Sequence, residues 1–364
     1  ELTRAFEEPG SWTDGGFGEW AVALFRAQCR ESPLHAGFAR LRGLDPEGDF
    51  AWTGIPPVPV SAFRDVRVLA PAAARAERVF RTSGTTGGRE RRGEHHVADL
   101  ALYRAAALTH ARVRLLPAGV RPRVVALLPD RQRVLDSSLA WMVGEIAEVL
   151  GDGPARCFVD AAGSLDEAGV RAALEEACAE GAPVLLAGTA FAFVHWMDAC
   201  AAHGWTCSLP QGSRILETGG FKGRSREVPR AELYRGLAGV TGLPESEIVN
   251  EYGMTELLSQ FYEPAETRCG PVSERFHVGP PWTRTRVLDP HTLEPLPAGR
   301  RGLLCHVDLA NAHSALAVLT QDEGMALEGG GFRLLGRAAG AEPRGCSLAA
   351  EHLLTAASHT RGSP

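Results

Sequence analysis

The stretch Arg81-Thr82-Ser83-Gly84-Thr85-Thr86-Gly87-Gly88-Arg89 places hydroxyl side chains on a turn with three glycines, directly after the apolar pair Val79-Phe80. Because glycine has no Cβ, the backbone of such a turn can approach a ligand closely and adopt positive φ. Successive amide groups can converge on an anion there, and hydroxyl groups add hydrogen-bond donors. The stretch therefore predicts a phosphate-binding loop for a nucleotide. A solvated turn is the alternative interpretation of the loop alone.

Two later segments also place glycines directly after apolar runs. These are Glu217-Thr218-Gly219-Gly220-Phe221-Lys222-Gly223-Arg224 and Glu251-Tyr252-Gly253-Met254-Thr255-Glu256. Ligands of open α/β sheets bind beyond the carboxyl ends of the strands. Since all three segments are predicted to follow strands, we expect the ligand at that end of the sheet. The first segment is not a Walker loop, because the order GxxxxGK[ST] is absent.

Apolar strands and helical segments alternate through the middle of the chain. Strands are predicted at residues 123–128, 157–159, 184–186, 214–217 and 247–250, and helices at residues 97–114, 138–150, 190–202 and 230–240. A further helix ending near Glu180 is predicted to begin at a capping box formed by Ser164 and Glu167. This alternation predicts a mostly parallel sheet with flanking helices. Residues 1 to 50 are predicted to be helical.

From Gly279 onwards short β segments replace the alternation. We therefore predict an α/β core of residues 1–278, a small β subdomain of residues 279–337 and a short C-terminal tail of residues 338–364. The tail carries Cys346, and its residues from about Thr355 are expected to be frayed.

The composition is that of an ordinary globular protein of 364 residues, with 45% hydrophobic and 23% charged residues. A formal net charge of −6 argues against a general binder of nucleic acid or anionic membranes. The eight cysteines form no CxxC pair, which favours a reducing, cytoplasmic compartment over a zinc knuckle or a disulfide framework. The most apolar run, residues 183–197, is too short to span a membrane.

The order TSGTTGG, then a GG turn, then YGMTE resembles the adenylate-forming (ANL) superfamily of acyl-CoA synthetases, adenylation domains and luciferase. Five segments are similar to the LuxE-type acyl-protein synthetase family, which is related to phenylacetate-CoA ligase-like enzymes. These segments are FRTSGTTGGR, GEHH, ETGGFKGR, EYGMTE and GAEPRGCSL. The resemblance runs from about Pro59 to Ala350. It implies the adenylate-forming large-domain fold, with residues 1–278 as the adenylation core, and dependence on ATP and Mg²⁺.

The resemblance also implies roles for individual motif residues. Glu256 would bind Mg²⁺, since a hard cation prefers carboxylate and phosphate oxygens. Thr255 would hydrogen-bond the α-phosphate, and a planar carboxylate at Asp322 would accept from both ribose hydroxyls. The residues that it implies for ATP binding are Ser83, Gly84, Thr85, Thr86, Gly87, Gly88, Gly219, Gly220, Tyr252, Gly253, Met254, Thr255, Asp322 and Arg337. The alternatives are a strand-to-helix turn for YGMTE and ordinary turn residues for Asp322 and Arg337.

The sequence departs from the superfamily pattern in two places. Most members carry a mobile C-terminal domain with a catalytic lysine, but only 27 residues follow Arg337, so we expect that domain to be missing or vestigial. The usual lysine of the phosphate loop is also replaced by arginines. We expect Lys222 or Arg224 of the second glycine segment to supply the missing positive charge in catalysis.

Cys346 is the candidate nucleophile. Family members carry the acyl group as a thioester on a cysteine near the C-terminus, and Cys346 in Arg344-Gly345-Cys346-Ser347 matches it. A thiolate is intrinsically nucleophilic, and a neighbouring arginine favours the ionised form. The alternative for a single cysteine is a small buried hydrophobic residue.

The predicted function is that of an ATP-dependent acyl-protein ligase. It would convert a carboxylic acid, expected to be a fatty acid, into acyl-AMP and pass the acyl group to Cys346 or to a thiol of a partner protein that accepts or reduces it. One alternative is direct transfer to coenzyme A or a carrier protein, and another is a degenerate nucleotide-binding scaffold. The candidate acyl-site residues are His96, Ser138, Met142 and Phe221.

Overall fold

The computed structural model describes residues 1–8, 12–70, 75–82, 92–219, 228–338 and 344–361. The chain forms two compact units. Unit 1 comprises Glu1–Ala106, Met254–Ser259 and Val278–Pro364, and unit 2 comprises Ala107–Gly253 and Gln260–His277. The start of the last segment of unit 1, at Val278, lies one residue before the boundary predicted at 279.

Helices and strands follow one another along the described chain. The α-helices are α1 Leu2–Glu7, α2 Asp14–Glu31, α3 Pro33–Leu41, α4 Leu100–Arg114, α5 Ser138–Leu150, α6 Glu167–Glu180, α7 Ala190–His203, α8 Arg230–Thr241, α9 Ala265–Arg268 and α10 Arg344–Arg361. The strands are β1 Val58–Pro59, β2 Arg78–Arg81, β3 Glu94–Val97, β4 Arg123–Pro129, β5 Arg156–Val159, β6 Val184–Thr189, β7 Arg214–Thr218, β8 Ile248–Tyr252, β9 Phe261–Tyr262, β10 Thr283–Leu288, β11 Arg301–Asp308, β12 Ala317–Ala326 and β13 Phe332–Arg337.

Unit 2 is built on a six-stranded sheet with the order β5-β4-β6-β7-β8-β9. Neighbouring strands are parallel except β9, which runs antiparallel to β8. The strands are nearly continuous apolar runs, as in parallel sheets that are buried on both faces. Leu174 of α6, Phe193 of α7 and Leu237 of α8 join strand residues in one buried core. The predicted mostly parallel sheet with flanking helices is therefore confirmed.

Side chains fix the ends of the helices of unit 2. The Ser137 hydroxyl accepts from the Ala140 amide at 3.2 Å and begins α5. Helix α6 ends at Gly181 in the left-handed conformation, with φ 66°. The capping box predicted from Ser164 and Glu167 is wrong. Asp166 caps α6 instead, by accepting from the Gly169 amide at 2.9 Å, and its carboxylate suits the positive end of the helix dipole.

Unit 1 contains a second sheet with the order β1-β12-β11-β10, and β13 pairs with β12. Only β1 and β12 are parallel in this sheet of the described chain. The N-terminal helices belong to the same unit, and Phe6 of α1 stacks on Trp282 at 4.3 Å. Helix α10 packs on α3. The predicted β subdomain thus shares a compact unit with the first hundred residues and the C-terminal helix.

The three glycine segments each follow a strand, as predicted. Residue 83 follows β2, Gly219 follows β7 and Gly253 follows β8. Strands β7 and β8 are neighbours in the parallel sheet, whereas β2 pairs with β3 in a two-stranded hairpin of unit 1. A short hairpin has too little apolar periodicity to be distinguished from the parallel strands in the sequence.

Two predictions of helical boundaries are corrected. The helix predicted from residue 97 begins at Leu100, because the Asp99 carboxylate accepts from the Leu102 amide at 3.0 Å. The tail predicted to fray from Thr355 is helical to Arg361. Its buried side chains recur at helical spacing, and this apolar stripe holds α10 in place. They are Cys346, Ala349, Leu353 and Ala356.

Candidate active site

Three of the five motif segments lie partly outside the described residues. The predicted residues that fall outside them are Ser83, Gly84, Thr85, Thr86, Gly87, Gly88, Gly220, Phe221, Lys222 and Arg224. The ends of the first loop are described. The Thr82 amide donates to the Gly93 carbonyl at 3.0 Å, and the Gly93 amide donates to the Thr82 hydroxyl at 3.0 Å. These two hydrogen bonds fix the points at which loop 83–91 leaves and rejoins the β2–β3 hairpin.

The EYGMTE segment begins in unit 2 and continues into unit 1. Tyr252 is buried, and its ring lies 6.0 Å from the rings of Phe261 and His277. A Cβ added at Gly253 would lie 2.2 Å from Oε1 of Glu251, so only glycine fits there without displacing that carboxylate. Met254 and Thr255 are half-buried, whereas the Glu256 side chain is 6% exposed.

The residues that follow Gly253 form an irregular turn whose backbone is bound by side chains. Both ring nitrogens of His95, in β3, are hydrogen-bonded. Nδ1 lies 2.7 Å from the Thr255 carbonyl oxygen, and Nε2 lies 2.8 Å from the Ser314 hydroxyl oxygen. Because a carbonyl can only accept, Nδ1 carries the proton, and Nε2 then accepts from Ser314. Burial lowers the pKa of His95 to about 4, so the ring is neutral at pH 7 and keeps this tautomer.

Asn311 binds the next part of the turn. Its Nδ2 donates to the carbonyls of Glu256 and Ala315, both at 2.9 Å, and its Oδ1 accepts from the Leu258 amide at 3.2 Å. Asn311 is fully buried. The Asn311 side chain therefore uses both N–H donors of its amide and the amide oxygen as acceptor. No other side chain of similar size combines two N–H donors with a carbonyl acceptor.

Asp308 holds the end of the turn. Its carboxylate accepts from the Leu258 amide at 3.2 Å and from the amide and hydroxyl of Ser259 at 2.9 and 2.8 Å. Burial raises the pKa of Asp308 to about 6, although these hydrogen bonds oppose that shift. His95, Asn311 and Asp308 together form what we call the turn clamp.

A buried group of polar side chains lies at the carboxyl ends of β7 and β8 in unit 2. Tyr234 donates to Glu217 at 3.0 Å, and Asn250 also donates to the Glu217 carboxylate. His277 donates from Nε2 to Oδ1 of Asn250 at 2.7 Å, since the Asn250 amide nitrogen is used by Glu217. Burial raises the pKa of Glu217. Burial and the nearby Glu217 charge raise the pKa of Glu251 to about 8, so Glu251 is mostly protonated at pH 7.

The two predicted ribose-binding residues are neighbours. Asp322 in β12 is paired with Arg337 in β13, and Nε of Arg337 lies 3.8 Å from Oδ1 of Asp322. The Arg337 side chain is 71% exposed and that of Asp322 is 20% exposed. The structure therefore brings these two residues together, and their binding of ribose stays a prediction.

The described candidates for the acyl site occupy two elements. Ser138 and Met142 lie in the first half of α5, where Met142 is buried. His96 lies in β3, and Nε2 of its half-buried ring is 3.2 Å from Oε2 of Glu94. Burial lowers the pKa of His96, which Glu94 opposes. Successive strand residues point to opposite faces, so His96 points away from the turn that His95 binds.

Cys346 lies in the first turn of α10 and is 1% exposed. It packs in an apolar cluster with Leu288, Leu303, Cys305 and Leu319. The amide of Gly345 donates to the Pro290 carbonyl at 3.2 Å, and a Cβ at Gly345 would lie 2.8 Å from Leu293. The thiol is therefore enclosed in this conformation of the helix.

Sequence reasoning did not find the turn clamp or Glu251. His95 was visible only as part of the His95-His96 pair. Asp308 is the last residue of the apolar strand β11, and Asn311 ends the short 3-10 helix Leu309–Asn311 that follows it. A single polar residue at the end of an apolar run is the one signal that points to Asp308 or Asn311, and it does not identify their partners.

Among the described residues, no helix combines the length and the apolar character that crossing a membrane requires. The same residues hold no group of three or more histidine, cysteine, aspartate or glutamate side chains able to bind a metal ion.

The family model described as acyl-protein synthetase, LuxE, matches residues 38–355. Two curated relatives are each named long-chain-fatty-acid–luciferin-component ligase. The one from Vibrio harveyi is 29% identical over 150 residues, which cover 39% of this chain and 38% of the relative. The one from Aliivibrio fischeri is 30% identical over 116 residues, which cover 31% of this chain and 29% of the relative. The chain thus spans about a third of the length of these relatives.

The solved structure of 2-hydroxyisobutyryl-CoA ligase, in its postadenylation state with 2-HIB-AMP, is similar to this chain with a TM-score of 0.62 and 15% sequence identity. The match covers 89% of this chain and 67% of that chain. At this identity the likeness concerns the fold, and it confirms the predicted adenylate-forming fold.

The first prediction concerns the pH dependence of stability. The folded-state pKa of Glu251 is raised from 4.5 to about 8, so the bound proton stabilises the fold below pH 4.5 and this contribution is lost as the pH rises through 8. Glutamine at this position cannot ionise. Between pH 4.5 and 8, the free energy of unfolding of the wild type should therefore fall relative to that of Glu251→Gln. A shift of one pKa unit corresponds to about 1.4 kcal/mol, so the expected fall is a few kcal/mol.

Denaturant unfolding at several pH values measures this difference. Glu266→Gln, at an exposed position of α9, is the matched control and should parallel the wild type. Parallel curves for Glu251→Gln and the wild type would contradict the assignment of a protonated Glu251.

The second prediction concerns the turn clamp. Asn311→Asp keeps the shape of the side chain but replaces the NH₂ donor with an oxygen acceptor. That oxygen would face the carbonyls of Glu256 and Ala315, to which it cannot donate. Unsatisfied buried carbonyls cost about 1–3 kcal/mol each, so the free energy of unfolding should fall by at least ~2 kcal/mol. Thr285→Val, which removes one half-buried hydrogen bond to His306, should cost only ~1 kcal/mol. Equal losses in the free energy of unfolding for both variants would show that the hydrogen bonds of the turn clamp stabilise the fold no more than an ordinary half-buried hydrogen bond does.

Proposed function

The chain belongs to the LuxE acyl-protein synthetase family, and on that premise we propose that it activates a carboxylic acid with ATP and passes the acyl group to a thiol. In the first step a carboxylate oxygen attacks the α-phosphorus of ATP, the acyl–AMP anhydride forms and pyrophosphate leaves. In the second step a thiol sulfur attacks the acyl carbon, a thioester forms and AMP leaves. The first step needs no general base, because a carboxylic acid is already ionised at pH 7.

The turn clamp is the observation that carries this proposal. Thr255 and Glu256 have no regular secondary structure to hold them, yet His95 and Asn311 bind both of their carbonyls. Phosphoryl transfer depends on positioning and on charge stabilisation that is in place before the reaction. A hydroxyl and a carboxylate on a turn fixed in this way are suited to the α-phosphate and its metal ion.

Mg²⁺ would be held by Glu256 together with phosphate oxygens and water. Mg²⁺ is usually bound by one or two carboxylates and by substrate phosphates, not by a cage of protein ligands. When bound, the ion would neutralise charge on the leaving pyrophosphate.

The nucleotide would be bound by further residues of the motifs. Asp322 would accept from the ribose hydroxyls, and the Arg337 side chain lies beside it. Tyr252 would lie against the adenine, beside the buried polar group of Glu217 and Asn250. The loop of Ser83 to Gly88 would hold the triphosphate, and Lys222 would add positive charge.

We propose a fatty acid as the substrate class, because the two curated relatives are named long-chain-fatty-acid ligases. The apolar side chain of Met142, with Ser138 and His96, would contribute to its binding site. Phe221 is proposed on the family resemblance alone. An acyl-accepting or acyl-reducing protein is the proposed partner.

Cys346 is the proposed acyl acceptor. Its burial requires that the first turn of α10 leaves the cluster of Leu288, Leu303 and Leu319 before the thiol can reach an acyl adenylate. The same burial favours a second candidate, in which Cys346 is only a packing residue and the acyl group passes directly to the thiol of coenzyme A or a carrier protein.

The third prediction tests adenylation. Exchange of labelled pyrophosphate into ATP should be stimulated by long-chain fatty acids more than by aromatic or amino acids. Glu256→Gln should lower the exchange rate at least ~100-fold, as expected for loss of a group that stabilises the transition state. Glu328→Gln, on an exposed turn of unit 1, should leave it unchanged. Absence of exchange with every acid, while ATP still binds, would favour the nucleotide-binding scaffold.

The fourth prediction tests whether α10 must move. A Cβ at Gly37 would lie 3.1 Å from Cβ of Ala356. A shift of a few tenths of an ångström would bring this pair to the Cβ spacing of a disulfide, about 3.5–4.5 Å, so Gly37→Cys with Ala356→Cys should cross-link α3 to α10. With ATP and fatty acid, the reduced double variant should gain a hydroxylamine-labile acyl adduct at Cys346, and the oxidised one should not. The single variant Gly37→Cys, oxidised in the same way, is the control.

If the oxidised double variant is acylated as fast as the reduced one, the first turn of α10 leaves the cluster by itself while the helix at residue 356 stays docked. If the wild type carries no adduct but forms acyl-coenzyme A, the second candidate function is correct.

A further inference from the structure

Three cysteines of unit 2 lie close together. Cys178 is in the last turn of α6, Cys200 is in α7, and Cys207 is in the segment that follows α7. All three contribute to one buried core, and Cys178 and Cys207 are half-buried at its edge whereas Cys200 is buried. None of these thiols has a part in the proposed function.

Helix α6 and the segment after α7 are held in a fixed register. The Trp205 indole donates to Oε1 of Glu175 at 2.9 Å, and one helical turn later the Cys178 thiol donates to the Ser208 carbonyl at 3.3 Å. Cys207 lies between these two contacts. Its amide donates to the Val240 carbonyl at 2.8 Å, so the backbone at Cys207 is fixed as well.

The fixed register brings two thiols close together. The Sγ atom of Cys178 lies 3.3 Å from the carbonyl oxygen of Ser208, the residue next to Cys207, so the two cysteines are neighbours across the gap between α6 and this segment. Two adjacent thiols can be oxidised to a disulfide.

We propose that Cys178 and Cys207 are a modification site at which a peroxide forms an intramolecular disulfide. The peroxide oxidises Cys178 to a sulfenic acid and releases one water. The sulfur of Cys207 then attacks the sulfenic sulfur, the S–S bond forms, the S–O bond breaks and a second water leaves. The sum is two thiols and one hydrogen peroxide converted into one disulfide and two waters.

The environments of the two thiols assign their order of reaction. Both thiols are half-buried at the edge of the core, and we assign the first oxidation to Cys178 because burial disfavours the thiolate of Cys207. Burial raises the pKa of Cys207 to about 12, and the neighbouring Cys178 contributes to this shift. Cys207 therefore stays protonated until the sulfenic acid forms beside it, and resolution should become faster as the pH rises.

The disulfide is tested on the full-length protein with hydrogen peroxide as the oxidant. Titration of thiols after denaturation should fall from eight to six, the intact mass should fall by two hydrogens, and peptide mapping should identify a Cys178–Cys207 cross-link. The midpoint of thermal unfolding should rise by several degrees in the oxidised protein, because the cross-link closes a loop in the unfolded chain.

Single variants separate this site from the other cysteines. Cys178→Ser and Cys207→Ser should each abolish the cross-link, whereas Cys269→Ser, at an exposed position, should not affect it. Cys200→Ser should also leave it intact. Recovery of Cys178 only as sulfinic or sulfonic acid, or a cross-link of Cys178 or Cys207 to Cys200, would overturn the proposal. None of these readouts depends on adenylation, so their outcome is independent of the proposed function.

Discussion

The hydrogen bond from the buried, neutral His95 ring to the Thr255 carbonyl is the constraint on which the rest of the proposed site depends. The turn after β8 has no ladder or helix to satisfy its backbone, and a buried carbonyl without a partner is costly. His95, Asn311 and Asp308 supply partners that regular structure would otherwise provide. His95 also belongs to β3, so one side chain connects the β2–β3 hairpin to a turn 160 positions away in the sequence.

Local patterns were sufficient to predict the fold of unit 2 but not that of unit 1. The five parallel strands of unit 2, β4 to β8, are separated by helices, so each one is an apolar run between recognisable helix ends. In unit 1, β1 pairs with β12 through Val58 and Val318, which lie 260 positions apart in the sequence. Part of β12 is the polar run Thr320-Gln321-Asp322-Glu323, which has no local signal of a strand. Pairing over such a distance depends on tertiary packing, which short-range periodicity does not record.

In the candidate site, too, some residues could be predicted from local sequence patterns and others depend on tertiary packing. The glycine segments could be found because close approach of the backbone to a ligand needs a particular residue type. Asn311 and Asp308 could not, because an asparagine or aspartate near the end of a strand is common, and their importance arises only from complete burial. Asp166, which caps α6 in place of the expected Ser164, was missed for a related reason. Several residues near a helix start can serve as its cap, and the backbone geometry decides which one does.

Acylation of Cys346 and docking of α10 would exclude one another. The thiol lies among Leu288, Leu303 and Leu319 in a packed cluster, and protein interiors have no spare volume for a long acyl chain. If the acyl group is carried on this thiol, the acylated chain must therefore adopt a different packing at the start of α10. By linkage, whatever stabilises the docked helix then opposes thioester formation by the same free energy, and the acyl group favours the undocked helix. The contact of Gly37 with Ala356, far along α10 from the thiol, would in this way help to set how readily Cys346 accepts and releases its acyl group.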